Sequence, residues 1–260
     1  MCYDDNARPP IPPGGGGGGA AAGEEVVLTA SDGNRFAAYF AQAPQPSGAG
    51  VIIYPDVRGL HQFYKELALR FAEVGVTALA IDYFGRTAGL TSRDEPFEYA
   101  PHTQQLQFDT ISHDTHAALD YLREKAGATT PVFLIGFCMG GTLTILSGTD
   151  PSYGFAGLIP FYAGITRSFM GKGTLLENAD KVLYPVLGSF GGADQGIPES
   201  AVKELESKLD NVGVEHDIVI YPGAPHSFFD RRATDFADAS ADAWRRILAF
   251  VAAHNQPVEA

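Results

Sequence analysis

The amino-acid sequence predicts an α/β protein built on a doubly wound, mostly parallel β-sheet with an N-terminal antiparallel hairpin. Short apolar runs recur along the chain, segments with helical spacing separate them, and the first two runs flank a short turn. Buried strands joined by crossover helices form parallel sheets that are covered on both faces. Right-handed crossovers then place helices on either side of the sheet.

The hairpin comes first, with strands predicted over residues 25–29 and 36–42 on either side of a Ser-Asp-Gly-Asn turn at 31–34. Short apolar runs predict further strands over 51–54, 76–81, 132–137, 158–162, 186–190 and 218–221. Apolar residues at helical spacing predict helices over 64–74, 108–125, 139–146, 199–209 and 235–253. Residues 83–106 are rich in Gly, Pro and Thr, and they fit either a lid or pocket wall or a disordered surface insertion.

The composition predicts one folded domain over residues 25–260 behind a flexible tail over residues 1–24. The tail combines a Pro-rich stretch with six consecutive glycines, Gly14 to Gly19, and has too little apolar surface to offset the entropy of ordering it. Hydrophobic residues make up 45% of the chain, so the remainder can bury a substantial core. A single α/β unit commonly reaches this size.

The charge balance and the cysteines restrict the partners and the compartment. The formal net charge of −13 repels phosphate backbones and anionic lipid, so we expect no nucleic acid and no membrane as partner. No apolar run approaches the roughly 18 residues of a membrane span, and the N-terminus does not read as a secretory signal. Cys2 and Cys138 do not make a disulfide framework, and a functional thiol suits the cytoplasm.

The segment from Gly136 to Gly140 has the spacing G-x-C-x-G between a predicted strand and a predicted helix. A nucleophile elbow needs this context, because the nucleophile sits on a strained turn that is crowded by residues two positions away. Glycines at both positions provide that room. The turn lifts Cys138 above the sheet and brings its thiol to a helix N-terminus, which favours a thiolate. The alternative is a small buried cysteine flanked by packing glycines.

Two later loops offer the base, and the group that orients the base, which a thiol nucleophile needs. Asp194 lies in a Gly-rich loop after the strand at 186–190, and His226 lies in a Pro/Gly loop after the strand at 218–221. Taken separately, each fits a turn, a cap or an exposed loop. Because acid and then histidine follow the elbow in this order, each after a strand, the three segments together indicate a catalytic triad.

An oxyanion hole needs two backbone N–H groups. Met139 follows the nucleophile directly, so its N–H is the natural first donor. The second donor is expected from the loop after the strand at 51–54, where we select the N–H of Val57.

In these residues the chain resembles the dienelactone hydrolases (carboxymethylenebutenolidases) of the α/β-hydrolase superfamily. The resemblance runs from about residue 26 to the C-terminal helix and is most specific in GFCMGG at 136–141, GGADQGIP at 191–198 and YPGAPHSF at 221–228. It implies a triad of Cys138, His226 and Asp194. It also implies that Asp56 matches an acidic residue, usually Glu, that contacts the resting nucleophile. Aspartate is one methylene shorter, and a loop cap is the alternative role.

The resemblance further implies a substrate carboxylate that is bound by two arginines. One of them matches Arg86, whose guanidinium could bind a carboxylate bidentately. The second position holds Asp230, so the neighbouring Arg231 is the candidate replacement. Tyr162, at the end of a predicted strand, is a candidate for the pocket lining, with core or rim packing as the alternative.

These observations predict a hydrolase that cleaves the ester bond of small lactones or enol esters through a covalent thioester. We expect no cofactor and no metal, a small-molecule ester or lactone as the partner, and a monomer or homodimer. Two alternatives stay open. One is a promiscuous carboxylesterase of the same fold, and the other is a non-catalytic binding or redox-sensing protein that uses the Cys138 pocket.

Overall fold

The computed structural model of the protein describes residues 7–15, 21–94 and 96–256, and these fold around one eight-stranded β-sheet. The strands are β1 (Ala22–Thr29), β2 (Arg35–Gln42), β3 (Gly50–Tyr54), β4 (Thr77–Ile81), β5 (Val132–Phe137), β6 (Gly157–Phe161), β7 (Val186–Gly191) and β8 (His216–Tyr221). Their order in the sheet is β1-β2-β4-β3-β5-β6-β7-β8. The pairs β1–β2 and β2–β4 are antiparallel, and all other neighbours are parallel. The predicted fold class is therefore confirmed.

Helices connect the strands in the predicted alternation. The helices are α1 (Gln62–Glu73), α2 (Gly85–Ala88), α3 (Ala100–Thr103), α4 (Phe108–Ala126), α5 (Met139–Ser147), α6 (Leu175–Asn178), α7 (Glu199–Val212) and α8 (Ala237–His254). The sequence predicted the five longer helices with ends that differ by a few residues. It missed α2, α3 and α6, which are four residues long each, because a single turn has no apolar period.

The core lies against the centre of the sheet. Every residue of β3, β4, β5, β6 and β7 is buried, which requires helices on both faces. Helices α1 and α8 contact each other through the rings of Phe71 and Trp244, whose centroids lie 4.8 Å apart. Because the parallel strands end at one edge, the loops after them meet there. In the described part of the chain, no helix has the length and apolar character needed to cross a membrane.

Residues 7–13 lie against the domain, where the sequence predicted a flexible tail. Pro9 and Pro12 are buried, and Nε1 of Trp244 donates a hydrogen bond to the carbonyl oxygen of Pro10 at 2.9 Å. A buried indole N–H needs an acceptor, and the Pro-rich segment supplies one. Over this stretch the structure replaces the predicted tail with a docked segment. Cys2 and most of the glycine run lie outside the described residues.

The segment 83–106 is held by a buried ion pair, so it is not a disordered insertion over its described residues. The guanidinium of Arg93 donates to Oδ2 of Asp82 at 2.9 Å and to the carbonyl oxygen of Gly89 at 2.8 Å. It also lies over the ring of Phe97, 4.6 Å from the ring centroid. These contacts fasten the segment beside the end of β4.

Candidate active site

Cys138 lies between β5 and α5 with a backbone φ of 55° and ψ of −112°, a conformation that non-glycine residues rarely adopt. A Cβ on Gly136 would overlap the carbonyl oxygen of Gly140, and a Cβ on Gly140 would overlap the carbonyl oxygens of Tyr54 and Pro55. The two glycines are therefore required sterically, as the G-x-C-x-G spacing predicted. The strained turn is the geometry of a nucleophile elbow.

The loops after β7 and β8 bring Asp194 and His226 together. Nδ1 of His226 lies 2.6 Å from Oδ2 of Asp194, and Oδ1 of Asp194 accepts a hydrogen bond from the N–H of Gly196 at 2.8 Å. Asp194 is only 8% exposed, so its charge acts in a partly dehydrated environment. An acceptor at Nδ1 fixes the imidazole tautomer and leaves Nε2 to act as a base.

Backbone hydrogen bonds join these two loops directly. The N–H of Gly192 donates to the carbonyl oxygen of Tyr221 at 2.8 Å, and the N–H of Ala193 donates to that of Ala224 at 2.9 Å. The contact between Asp194 and His226 therefore rests on backbone hydrogen bonds as well as on side chains.

A cavity of about 740 Å³ opens above the elbow, and Cys138, Met139, Asp194 and His226 all line it. This volume suits a small organic substrate. None of the lining residues in the described chain comes from the segment 83–106, so the predicted lid or pocket wall is not found there.

The predicted oxyanion donors occupy the loop after β3 and the start of α5. Met139 is the first residue of α5, so no helical carbonyl four residues earlier accepts its N–H, and the residue lines the cavity. Val57 is half-buried in the loop after β3 and is not among the described residues that line the cavity.

Asp56 is buried beside Val57, with 3% exposure. Its Oδ1 accepts a hydrogen bond from the N–H of Arg58 at 2.9 Å and lies 3.6 Å from Nε2 of His61. Burial raises the pKa of Asp56, but His61 and Arg58 outweigh this and leave the pKa below its usual value. Asp56 is therefore a buried carboxylate that stays charged.

The two arginines proposed for substrate binding have different positions. Nη1 of Arg86 lies 2.6 Å from Oδ2 of Asp32, and Nη2 lies 2.9 Å from Oδ1 of Asp114. Arg86 thus joins the hairpin turn to α4 and is absent from the cavity lining of the described chain. Arg231, in contrast, lines the cavity.

Tyr162, directly after β6, is among the residues that line the cavity, and its side chain is fully buried. Its φ is 35°, and Ser227, directly after His226, has a φ of 61°. With Cys138, three of the four described non-glycine residues at positive φ therefore lie at this site. Such strain persists where the surrounding structure enforces it, which is frequent at active sites.

The cavity wall also includes a stretch that the sequence analysis did not single out. Residues 164–169, between β6 and α6, contribute Ile165, Phe169 and the exposed guanidinium of Arg167. No motif marks this stretch. The available signal was a long connection after a buried parallel strand, which places its residues at the edge that carries the site.

The sheet, the elbow and the loops define an α/β-hydrolase. A profile of the Dienelactone hydrolase family matches residues 36–255, and the chain therefore belongs to that family.

Relatives agree with this assignment. A Synechocystis protein named "Putative carboxymethylenebutenolidase" is 30% identical over 205 residues, which cover 76% of this chain and 82% of that protein. A Bradyrhizobium protein named "Probable 2-oxo-3-(5-oxofuran-2-ylidene)propanoate lactonase" is 26% identical over 233 residues, which cover 86% and 92%. The solved "Putative Dienelactone Hydrolase" of Klebsiella pneumoniae superposes with a TM-score of 0.75 at 23% identity, covering 89% of this chain and 99% of that one. The similarity to this solved structure supports the fold and not the activity.

Proposed function

We propose that this hydrolase cleaves the ester bond of small lactones or enol esters through Cys138, His226 and Asp194. One observation carries the proposal: Nδ1 of His226 lies 2.6 Å from Oδ2 of Asp194 in a cavity that Cys138 also lines. A thiol, an imidazole and a carboxylate thus surround one space of substrate size, and acyl transfer by covalent catalysis uses these three groups as nucleophile, base and orienting acid.

In the first half-reaction, His226 accepts the thiol proton of Cys138 and the sulfur forms a bond to the substrate carbonyl carbon. The carbonyl oxygen becomes an oxyanion, to which the N–H groups of Met139 and Val57 donate. The carbon–oxygen bond of the ester then breaks, and the leaving oxygen takes the proton from His226. The acyl group stays on Cys138 as a thioester. Asp194 stabilises the imidazolium while it exists.

In the second half-reaction, a water molecule gives a proton to His226 and its oxygen adds to the thioester carbonyl. The carbon–sulfur bond breaks, the sulfur of Cys138 regains the proton, and the carboxylic acid is released. A tethered alcohol could attack the thioester again before water does. An enol leaving group avoids this reversal, because it rearranges to a ketone, and enol esters and enol lactones are therefore the favoured substrates.

Asp56 is proposed to assist the nucleophile from the loop after β3. Its buried carboxylate is held by His61 and Arg58, and it would act as a proton acceptor once a bound substrate changes these contacts. Asp56→Asn keeps the shape and removes the charge, so a lower kcat in a variant that still folds would support this role.

The cavity wall favours an anionic substrate. Arg231 and Arg167 both line it, and a guanidinium binds a carboxylate through paired charge-assisted hydrogen bonds. We therefore propose Arg231 as a substrate-binding residue, with Tyr162 as part of the wall. Arg231→Gln should raise KM for carboxylated lactones and not for neutral ones, whereas Arg245→Gln, on the exposed face of α8, should change neither.

The direct test is a hydrolysis screen of small lactones and enol esters, with and without a carboxylate, on the wild type and Cys138→Ala. We expect Cys138→Ala to lower kcat by on the order of a thousandfold or more. Cys2→Ala, which removes the other cysteine of the chain, is the matched control and should retain activity. Full activity in Cys138→Ala would refute the mechanism.

Neutral p-nitrophenyl esters, added to the screen, and a titration of the Cys138 thiol under oxidation separate the two alternatives. Turnover of neutral p-nitrophenyl esters at rates equal to those of lactones would indicate a general carboxylesterase. A thiol at Cys138 that oxidises reversibly, in a protein without any ester turnover, would indicate a redox-sensing role and would refute the hydrolase proposal.

A further inference from the structure

The geometry points to Asp230 as a positioning residue, which holds Tyr162 and through it the imidazole of His226. The inference rests on the proposed function, since it takes His226 as the base. Asp230 stands where the resemblance implied a substrate-binding arginine, so its role in this chain needs an explanation of its own.

Both carboxylate oxygens of Asp230 have hydrogen-bond donors. Oδ2 accepts a hydrogen bond from the hydroxyl of Tyr162 at 2.9 Å, and Oδ1 accepts one from the backbone N–H of Arg231. Asp230 is only 6% exposed, and a carboxyl group in such surroundings is retained at a cost that its hydrogen bonds must offset. The carboxyl group is thus a fixed anchor for Tyr162 and Arg231, which both line the cavity.

Tyr162 is held at both ends. Its backbone N–H donates to the carbonyl oxygen of Ser189 in β7 at 2.7 Å, and its hydroxyl is held by Asp230. Its φ of 35° is unfavourable for a residue with a Cβ. The backbone therefore needs these restraints. The ring also packs against Phe137, Phe161 and Phe228, so loss of the anchor at the hydroxyl would allow a small shift of the ring within this packing.

The ring of Tyr162 packs against His226, with centroids 4.9 Å apart and an angle of 57° between the planes. The hydrogen bond from Nδ1 to Asp194 fixes one atom of the imidazole, but it does not by itself prevent rotation of the ring about that bond. Contact with Tyr162 restricts this rotation. Asp194 and Asp230 thus position the base together, one directly and one through Tyr162, and small misplacements of a catalytic group are costly.

The charge on Asp230 affects the strength of its hydrogen bond with the hydroxyl of Tyr162. The titratable and charged groups around it come from several elements: Asp56 after β3 with its partner Arg58, Tyr64 on α1, Tyr162 after β6, His226 after β8, and the adjacent Arg231. Burial, with the nearby charge of Asp56, raises the pKa of Asp230 to about 6. Above that pH the Tyr162 hydroxyl donates to a carboxylate, and below it to a neutral acid, which is a weaker acceptor.

The test compares the pH dependence of kcat and KM in three variants. Tyr162→Phe should lower kcat on the order of tenfold with little change in KM, because the ring loses its anchor but stays in the wall. Asp230→Asn keeps an acceptor for the hydroxyl, so it should retain more activity near neutral pH than Tyr162→Phe. The acid limb of the pH profile of kcat in Asp230→Asn should lack the ionisation at about pH 6 that belongs to Asp230. Tyr153→Phe is the control, since it removes a buried hydroxyl that donates to Ser112 away from the cavity.

A measurement without turnover complements the kinetics. The NMR signal of the Nδ1 proton of His226 should exchange with water faster in Tyr162→Phe than in the wild type or Tyr153→Phe, because the imidazole loses a restraint. Equal exchange rates in these three proteins, or wild-type kcat in folded Tyr162→Phe, would overturn the inference. If wild-type ester hydrolysis is missing or survives Cys138→Ala, the proposed function itself fails, which is a distinct outcome.

Discussion

Replacing Arg93 by methionine tests how the segment 83–106 is held. The side chains of Arg93 and Asp82 are 2% and 1% exposed, and their contact is 2.9 Å long. Methionine preserves much of the apolar contact of the arginine stem, but it leaves the Asp82 carboxylate in the core without its cation. The variant therefore isolates the charge from the packing.

The expected loss in the free energy of unfolding depends on the hydrogen bonds that Asp82 keeps in Arg93→Met. Removing one member of a buried ion pair costs about 3–5 kcal/mol. Asp82 keeps hydrogen bonds from the N–H groups of Leu60, at 3.1 Å, and Phe84, at 3.0 Å. We therefore expect the lower end, about 3 kcal/mol, which for a domain of this size lowers the Tm by roughly 6–12 °C.

Urea and thermal unfolding followed by circular dichroism would measure this loss. Arg70→Met is the matched control, because Arg70 contacts Glu73 at 2.9 Å while 29% of its side chain stays exposed, and the free energy of unfolding should change by less than about 1 kcal/mol. Adding Asp82→Asn to Arg93→Met should recover part of the loss, since no buried charge then remains. If Arg93→Met unfolds within about 1 kcal/mol of the wild type, the pair does not hold the segment as reasoned.

Three further predictions concern the site and the docked N-terminal segment. Asp194→Asn should lower kcat on the order of a thousandfold at unchanged fold stability, because the amide no longer fixes the tautomer of His226; near-wild-type kcat would contradict the assigned role. The pKa of Asp230 is raised from its ordinary value of 3.8 to about 6. Protonation of Asp230 therefore contributes fully to the stability of the fold below about pH 3.8, and this contribution is lost as pH rises through about 6. Asp230→Asn should therefore raise the Tm at about pH 8 and leave it almost unchanged at about pH 4, and equal shifts would count against this. Trp244→Phe removes the hydrogen bond to Pro10, so limited proteolysis should cleave the N-terminal segment faster, and an unaltered cleavage rate would show that the indole does not hold it.

The central strands could be predicted from the sequence because each is a short run of mostly apolar residues. The edge strand β1 was less predictable. It starts at Ala22, earlier than expected, because Ala22 pairs with Gln42 of β2 and the pairing extends the strand through residues without a strand pattern. Docking of residues 7–13 depends on an indole N–H far along the chain, in Trp244, which local composition does not reveal.

The loops that carry Cys138, Asp194 and His226 were identifiable because each has a distinctive motif next to a strand. The position of Arg86 was not, because its partners Asp32 and Asp114 come from the hairpin turn and from α4. Only the folded chain brings two carboxylates to one guanidinium. The link between Tyr162 and Asp230 was missed for the same reason, since a hydrogen bond between distant side chains leaves no local pattern.

Two backbone hydrogen bonds, from Gly192 to Tyr221 and from Ala193 to Ala224, join the loops that carry Asp194 and His226. We expect them to restrict the routes by which a substrate can reach the sulfur of Cys138. If either loop moved outward to admit a substrate, both hydrogen bonds would break and the imidazole of His226 would separate from the carboxylate of Asp194 as the substrate bound. Entry between these two loops would therefore disrupt the proposed catalytic site. We expect a substrate to enter instead past the exposed stretch around Arg167, which lines the cavity and takes no part in these hydrogen bonds.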